Sequence, residues 1–144
     1  RRKIVSLERG RAVLDILLLL EAWERPVSIL ALEPALVLMR NNAARQAQLR
    51  RPVTAVQKKE LSGEPKFVSG LDAIYRGMLA NGAIRRVGEN AFELAQPELL
   101  RHASKADRQR AAESVKAISQ WPTESEAYLA VAEQADEVYE VAVS

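Results

Sequence analysis

The chain of 144 residues is 48% hydrophobic and 28% charged and contains no Cys, so it is long enough for one folded domain and excludes disulfides and thiolate metal sites. Its longest apolar run, within residues 12–20, is interrupted by Asp15 and is far shorter than the ~20 residues that span a bilayer, which favours a cytoplasmic protein without a membrane anchor. The net charge of +2 is divided unevenly: residues 1–86 hold 16 Lys/Arg and 8 Asp/Glu, whereas residues 87–144 hold 5 Lys/Arg and 11 Asp/Glu, so the basic part could face nucleic acid and the acidic part would be repelled by it.

Two helical regions are predicted in the first third of the chain. Residues 7–24 form the first, with Ser6 as a suitable N-cap and Pro26 requiring an end before it. This helix is apolar nearly all round, which is typical of a central core helix. Residues 28–50 form the second region, with a break or restart at Pro34. Its first half is apolar and its second half carries several Arg side chains, so we expect the helix to leave the core and enter water.

The best-signalled helix spans residues 69–81. Ser69 resembles the start of a capping box, and apolar residues then recur at i, i+3, i+4 and i+7, which predicts one buried face. The pair Asn81-Gly82 is a typical helix stop, because Gly readily takes the left-handed conformation. Two short apolar stretches joined by a Gly/Asn turn follow, and they predict a β-hairpin over residues 83–95.

The rest of the chain is predicted to be helical. Residues 97–121 indicate one or two helices, with a restart at Ser104, and Thr123 with Glu126 forms a T-x-x-E capping box that starts a last helix reaching to about residue 143. On a helical wheel this last helix is amphipathic, with an acidic outer face and an apolar side suited to docking in the groove of a partner. The predicted partner-binding residues are Tyr128, Val131, Ala135, Val138 and Tyr139.

The order of helix, Asn-Gly stop, strand, tight turn and strand resembles the second half of a winged helix-turn-helix domain. In that superfamily the helix before the hairpin is the recognition helix and the hairpin is the wing. The resemblance covers residues 65–95, and the helices at about 7–24 and 29–40 would complete the helical core. It implies a mainly α (α+β) fold with a winged-helix-like core and one β-hairpin in residues 1–96, and a C-terminal helical extension in residues 97–144 that either packs as part of one unit or stands apart. The competing interpretation is a hairpin that merely closes a helical core.

The residue types on the predicted recognition helix do not suit base reading. Major-groove readout needs Arg, Lys, Asn or Gln on the outward face, and here that face offers Arg76 beside Asp72, which would repel phosphate. Cations in the wing and the middle segment suit contact with the DNA backbone instead. The predicted nucleic-acid-binding residues are Arg40, Arg45, Arg50, Arg51, Lys58, Lys59, Lys66, Arg76, Arg85 and Arg86.

No catalytic constellation is recognisable. The single histidine, His102, lies on a polar helix, and one His without Cys does not form a usual zinc site. The glycine-rich phosphate loops and the G-x-S-x-G motif are absent. We therefore expect a protein that is not an enzyme and that needs no cofactor or metal.

Three functions remain in competition. The first is an accessory subunit that docks onto a larger DNA-acting complex, because the layout of residues 12–23, 34–51 and 69–95 is similar to that of the small middle components of bacterial three-component ATPase systems and the winged-helix subunits of SMC-type complexes. That similarity implies an ABC- or SMC-type ATPase partner, in phage or plasmid defence, together with sequence-nonspecific DNA contact. The second is a homodimeric transcriptional regulator with residues 97–143 as the dimer interface. The third is a helical structural protein without DNA contact.

Overall fold

A computed structural model describes residues 3–51, 68–134 and 137–141 of the chain. Most of these residues are helical, and the strands are short, which confirms the predicted mainly α (α+β) class. The elements in chain order are β1 (Lys3–Leu7), α1 (Arg9–Trp23), β2 (Val27–Ser28), α2 (Ile29–Arg40), α3 (Asn42–Arg50), β3 (Val68–Ser69), α4 (Leu71–Ala80), β4 (Ile84–Val87), β5 (Ala91–Leu94), a 3-10 turn (Pro97–Leu100), α5 (Lys105–Ser119), α6 (Glu124–Gln134) and β6 (Glu137–Val141).

The core is built on α1 and α2. Every residue from Ile16 to Leu20 of α1 and from Ala35 to Met39 of α2 is buried, which confirms the predicted central helix, because a helix that is apolar nearly all round must be covered on several sides. Helix α5 packs against both of them, and α6 packs against α2. Elements on both sides of residue 96 thus share one hydrophobic core. None of the helices in the described ranges is long and apolar enough to cross a membrane.

The predicted β-hairpin is present as β4 and β5, which pair antiparallel with Ile84 opposite Leu94. The short strand β2 adds to the same sheet by pairing with β5, so the sheet order is β2-β5-β4. The ring of Phe92 in β5 is buried and stacks on Tyr75 of α4, with 5.1 Å between ring centroids. The hairpin is therefore fastened to the helical core through β2 and through α4.

The end of α4 is as predicted, and its start is different. Gly82 has a φ of +80°, its N–H donates to Leu79 O, and the N–H of Ala83 donates to Met78 O at 3.0 Å, which is the hydrogen-bond pattern of a left-handed helix stop. The predicted capping box at Ser69 is wrong. Ser69 lies in β3, and Gly70 is the N-cap, with a φ of +83°, because the chain leaves an extended strand and turns directly into the helix.

A second sheet, which the sequence analysis did not predict, joins three parallel strands in the order β1-β6-β3. In β1 and β6, Leu7 is the register partner of Val141, and Tyr139 of β6 pairs with Val68 of β3. The alternation along β6 fits a strand, because Tyr139 and Val141 are buried and Glu140 is exposed.

This sheet corrects both ends of the predicted helical pattern. Ser6, the predicted N-cap of the first helix, lies in β1, and α1 begins at Arg9. The last helix does not continue to residue 143, since α6 ends at Gln134 and the chain enters β6. Its predicted start is confirmed, because Thr123 Oγ1 accepts the backbone N–H of Glu126 at 3.1 Å. The predicted restart at Ser104 is confirmed in the same way, by the N–H of Asp107.

The break predicted at Pro34 is also wrong. Helix α2 runs through Pro34, which is buried, and the missing N–H removes only one helical hydrogen bond at that point. The break falls at Asn41 instead. The Asn41 side chain accepts the N–H of Ala44 at 2.9 Å and caps α3, as expected of Asn at a helix start.

Candidate nucleic-acid interface

The ten predicted DNA-contacting cations separate by what the fold does with them. Lys58, Lys59 and Lys66 lie outside the described residues. Three of the other seven hold the helices together, and four are exposed at the surface. The first three are Arg40, Arg45 and Arg51, and the exposed four are Arg50, Arg76, Arg85 and Arg86.

Arg45 is a buried structural residue. Its side chain is only 6% exposed, and the guanidinium donates to Leu38 O at 2.7 Å, to Asn42 Oδ1 at 2.8 Å and to Glu113 Oε1 at 3.0 Å. The hydrogen bond from Gln109 and the one from Arg45 hold the pKa of the Glu113 carboxyl below its usual value. These three bonds join α2, α3 and α5, so the expectation that Arg45 faces DNA is wrong.

Arg40 neutralises a buried acid. Its Nε lies 2.8 Å from Asp15 Oδ2 and its Nη2 donates to Asp15 Oδ1 at 3.0 Å. Asp15 is fully buried in α1, and burial raises the pKa of its carboxyl while Arg40 acts in the opposite direction. Because an unpaired buried charge is strongly destabilising, Arg40 is held to Asp15 and is not a surface cation as predicted.

Arg51 ties α3 to α6. Its Nη2 lies 2.8 Å from Glu133 Oε2, and its guanidinium carbon lies 5.4 Å from the centre of the Trp121 ring. Gln48 of α3 reaches the same helix, donating to Ala130 O at 3.0 Å. The predicted role of Arg51 in DNA contact is therefore replaced by an inter-helix role. The acidic side chain that pairs with it belongs to the predicted acidic face of the last helix.

The exposed cations gather around α4 and the hairpin, apart from Arg50 at the end of α3. Arg85 pairs with Glu93 across the hairpin at 2.8 Å, although 61% of its side chain remains exposed. Arg86 lies over the Phe92 ring, 5.3 Å from its centre, and donates to Glu89 O at 2.7 Å. Both side chains are thus positioned by neighbours on the hairpin while remaining accessible.

Arg76 and Arg86 border a shared groove of about 260 Å³ between α4 and the hairpin. The outward residues of α4 match the prediction, since Asp72, Arg76 and Ala80 are exposed. Tyr75 lines the floor, and burial raises the pKa of its phenol above the usual value, so the ring stays neutral. The groove can place two positive charges next to an anion. It offers no pattern of amide donors that would read base edges.

The predicted partner-binding residues do not form a surface. Tyr128, Val131 and Tyr139 are each no more than 4% exposed and belong to the core of the chain itself. Ala135 lies outside the described residues, and Val138 is placed only as the register partner of Ile4 in β6. The prediction of an apolar docking stripe on one long helix is therefore wrong, because those positions are split between the buried side of α6 and a strand.

Sequence analysis missed a network of charged residues between α1 and α5. Arg11 Nη2 donates to Asp107 Oδ1 at 2.9 Å, and Arg110 also contacts Asp107. The only sequence signal is the i, i+4 spacing of Arg11 and Asp15 and the i, i+3 spacing of Asp107 and Arg110. This network is structural, since each pair joins or supports packed helices.

The described residues show no metal centre, because no group of three or more His, Cys, Asp or Glu side chains among them is placed to hold an ion. His102 is exposed. Compared with protein-family models, with curated proteins and with solved structures, the chain matches none of them.

Proposed function

We propose that this protein is a non-enzymatic winged-helix accessory subunit that docks onto a larger bacterial DNA-acting complex of the SMC- or ABC-ATPase type, such as one used against phages or plasmids, and adds sequence-nonspecific contact with the DNA backbone. The observation that carries the proposal is the joining of the hairpin to the helical core through β2, with exposed arginines on the hairpin and on the helix before it. A wing held rigidly beside such a helix is the arrangement that the winged-helix resemblance implies.

The charges favour backbone contact over base reading. Arg76 and Arg86 border one groove, and their two guanidinium groups suit phosphate oxygens, for which Arg is well shaped. Asp72 on the same outward face opposes close approach of the major groove, because its carboxylate would lie near phosphates. A subunit that only adds affinity to a larger complex needs the first property and not the second.

Binding to a duplex of arbitrary sequence tests the DNA contact. We expect Arg76→Gln combined with Arg86→Gln to reduce affinity at low salt and to reduce the slope of log K against log salt by about 2, since each lost phosphate contact changes that slope by ~0.9. The matched control is Arg101→Gln with Lys105→Gln, which removes the same two charges from exposed positions. Equal losses in both pairs would contradict the proposal, because they would reflect net charge alone.

Purification of the native protein with its partners tests the docking. A stoichiometric ATPase identified by mass spectrometry supports the accessory role. Recovery of the protein alone as a dimer, with tight binding to one DNA sequence, would overturn it in favour of the homodimeric regulator.

A further inference from the structure

Both tryptophans of the chain line the same cavity, although they are far apart in the sequence. Trp23 ends α1, and Trp121 follows α5. The cavity has a volume of about 230 Å³, and its remaining apolar wall comes from Ala31, Ile118 and Pro122. Since the sequence contains only these two Trp residues, every indole group of the protein borders this one space.

Neither indole N–H has a hydrogen-bond acceptor among the described residues. Trp23 is 7% exposed and Trp121 is 5% exposed, and both Nε1 atoms are shielded from solvent. Buried donors are nearly always paired, and an unpaired one is destabilising. Two such donors in the wall of a single cavity therefore indicate that an acceptor belongs there.

The mouth of the cavity carries a cation without a carboxylate partner in the described ranges. Arg25 is exposed and donates only to Pro26 O, at 3.1 Å. The one carboxylate in the wall, that of Glu124, already accepts the hydroxyl of Ser28 at 2.9 Å. The available polar groups are thus two neutral donors and one positive charge, which together favour an anionic acceptor.

We propose that this cavity binds a small aromatic carboxylate. Its oxygens accept hydrogen bonds from the indole N–H groups of Trp23 and Trp121 and lie near Arg25, and its ring packs between the indoles and Ile118. The size is sufficient, because an apolar cavity of ~150 Å³ already holds benzene. Small rotations of the indoles about χ2, a broad torsion, turn the two N–H groups into the cavity when the ligand enters.

The site is remote in kind from the DNA-contacting groove, since the two cavities have no lining residue in common. The inference therefore goes beyond the proposed function and does not depend on it. Loss of DNA binding in the Arg76 and Arg86 variants would leave it intact, and failure of ligand binding would leave the docking proposal intact.

The test is a titration of the ¹⁵N-labelled full chain with benzoate at constant ionic strength, followed by NMR. We expect both indole Hε1 resonances to move downfield together and to saturate with one Kd of about 1 mM or lower, as nine non-hydrogen atoms allow. Benzamide, a neutral molecule of the same shape, should bind about tenfold more weakly or less. Shifts that do not saturate, or saturable binding that leaves the indole resonances unmoved, would overturn the proposal.

Two variants separate the charge from the cavity. Arg25→Gln should weaken benzoate about tenfold and leave benzamide unchanged, because only the anion uses the guanidinium. Arg101→Gln, an exposed change of equal charge, should alter neither. An Arg25→Gln variant that binds benzoate as the wild type does would contradict the assignment of Arg25. Trp121→Phe keeps an aromatic wall but removes one donor, and its folding is checked by its melting temperature.

Discussion

Replacing Arg45 distinguishes a structural arginine from a DNA-contacting one. The guanidinium makes three hydrogen bonds at 2.7–3.0 Å and is almost fully buried. Arg45→Ala removes all three and leaves the carbonyl of Leu38 in a buried position without this donor. Breaking a buried charged pair by removing one partner destabilises a protein by about 3–5 kcal/mol, and we expect the free energy of unfolding to fall by that amount.

Urea denaturation followed by circular dichroism measures the loss. With an m-value of about 2 kcal/mol/M, the midpoint should fall by roughly 2 M. Arg45→Lys keeps the charge but not the planar fork of donors, so its midpoint should lie between those of the alanine variant and the wild type. Arg50→Ala, at an exposed position five residues further along α3, should change stability by no more than about 0.5 kcal/mol.

DNA binding provides the opposite readout. Under conditions in which it is folded, Arg45→Lys should bind DNA as the wild type does, because its side chain does not reach the surface. If Arg45→Ala kept the wild-type midpoint and lost DNA binding, the structural role assigned to Arg45 would be refuted.

Two further predictions concern pH and backbone strain. The pKa of Glu113 is lowered in the folded chain, chiefly by the Gln109 hydrogen bond, so its stabilising contribution is present above pH ~4.5 and lost as the pH falls through the folded pKa; the urea midpoints of wild type and Glu113→Gln should therefore converge on acidification, and a gap that is equal at pH 3 and pH 7 would contradict this. Gly70→Ala should lower the melting temperature more than Gly88→Ala, because both have positive φ but only a Cβ at Gly70 would meet a neighbouring atom, Val141 O at 3.2 Å; equal losses would show that the contact with β6 has no effect.

Features with a local physical cause were predictable from the sequence. The Asn81-Gly82 stop, the hairpin and the caps at Ser104 and Thr123 each depend on a few adjacent residues, and each is found where it was predicted. The same holds for the exposed face of α4, since the i, i+3, i+4 pattern fixes which side of a helix is buried.

Features that depend on distant partners were not predictable. Tyr139 and Val141 fit a helical wheel as well as a strand, and what selects the strand is pairing with β1 at the other end of the described chain. Arg45 and Arg51 lie on a polar helix that reads as exposed, and their partners Glu113 and Glu133 come from α5 and α6. For the candidate site this meant that residue type found the exposed arginines of the hairpin, whereas only packing could remove the buried ones.

The pairing of β1 with β6 has a kinetic consequence. Val5 is the partner of Tyr139, so bringing these strands together from an open chain closes a loop of about 130 residues, with an entropic cost of about 4 kcal/mol. Contacts of such long range form after local ones reduce that cost, so helix docking should precede the parallel sheet during folding. During synthesis, the edge of β1 stays without this partner until residues 137–141 have left the ribosome. A chain arrested before that point would present an uncovered strand edge, which is the kind of edge that recruits strands from other molecules.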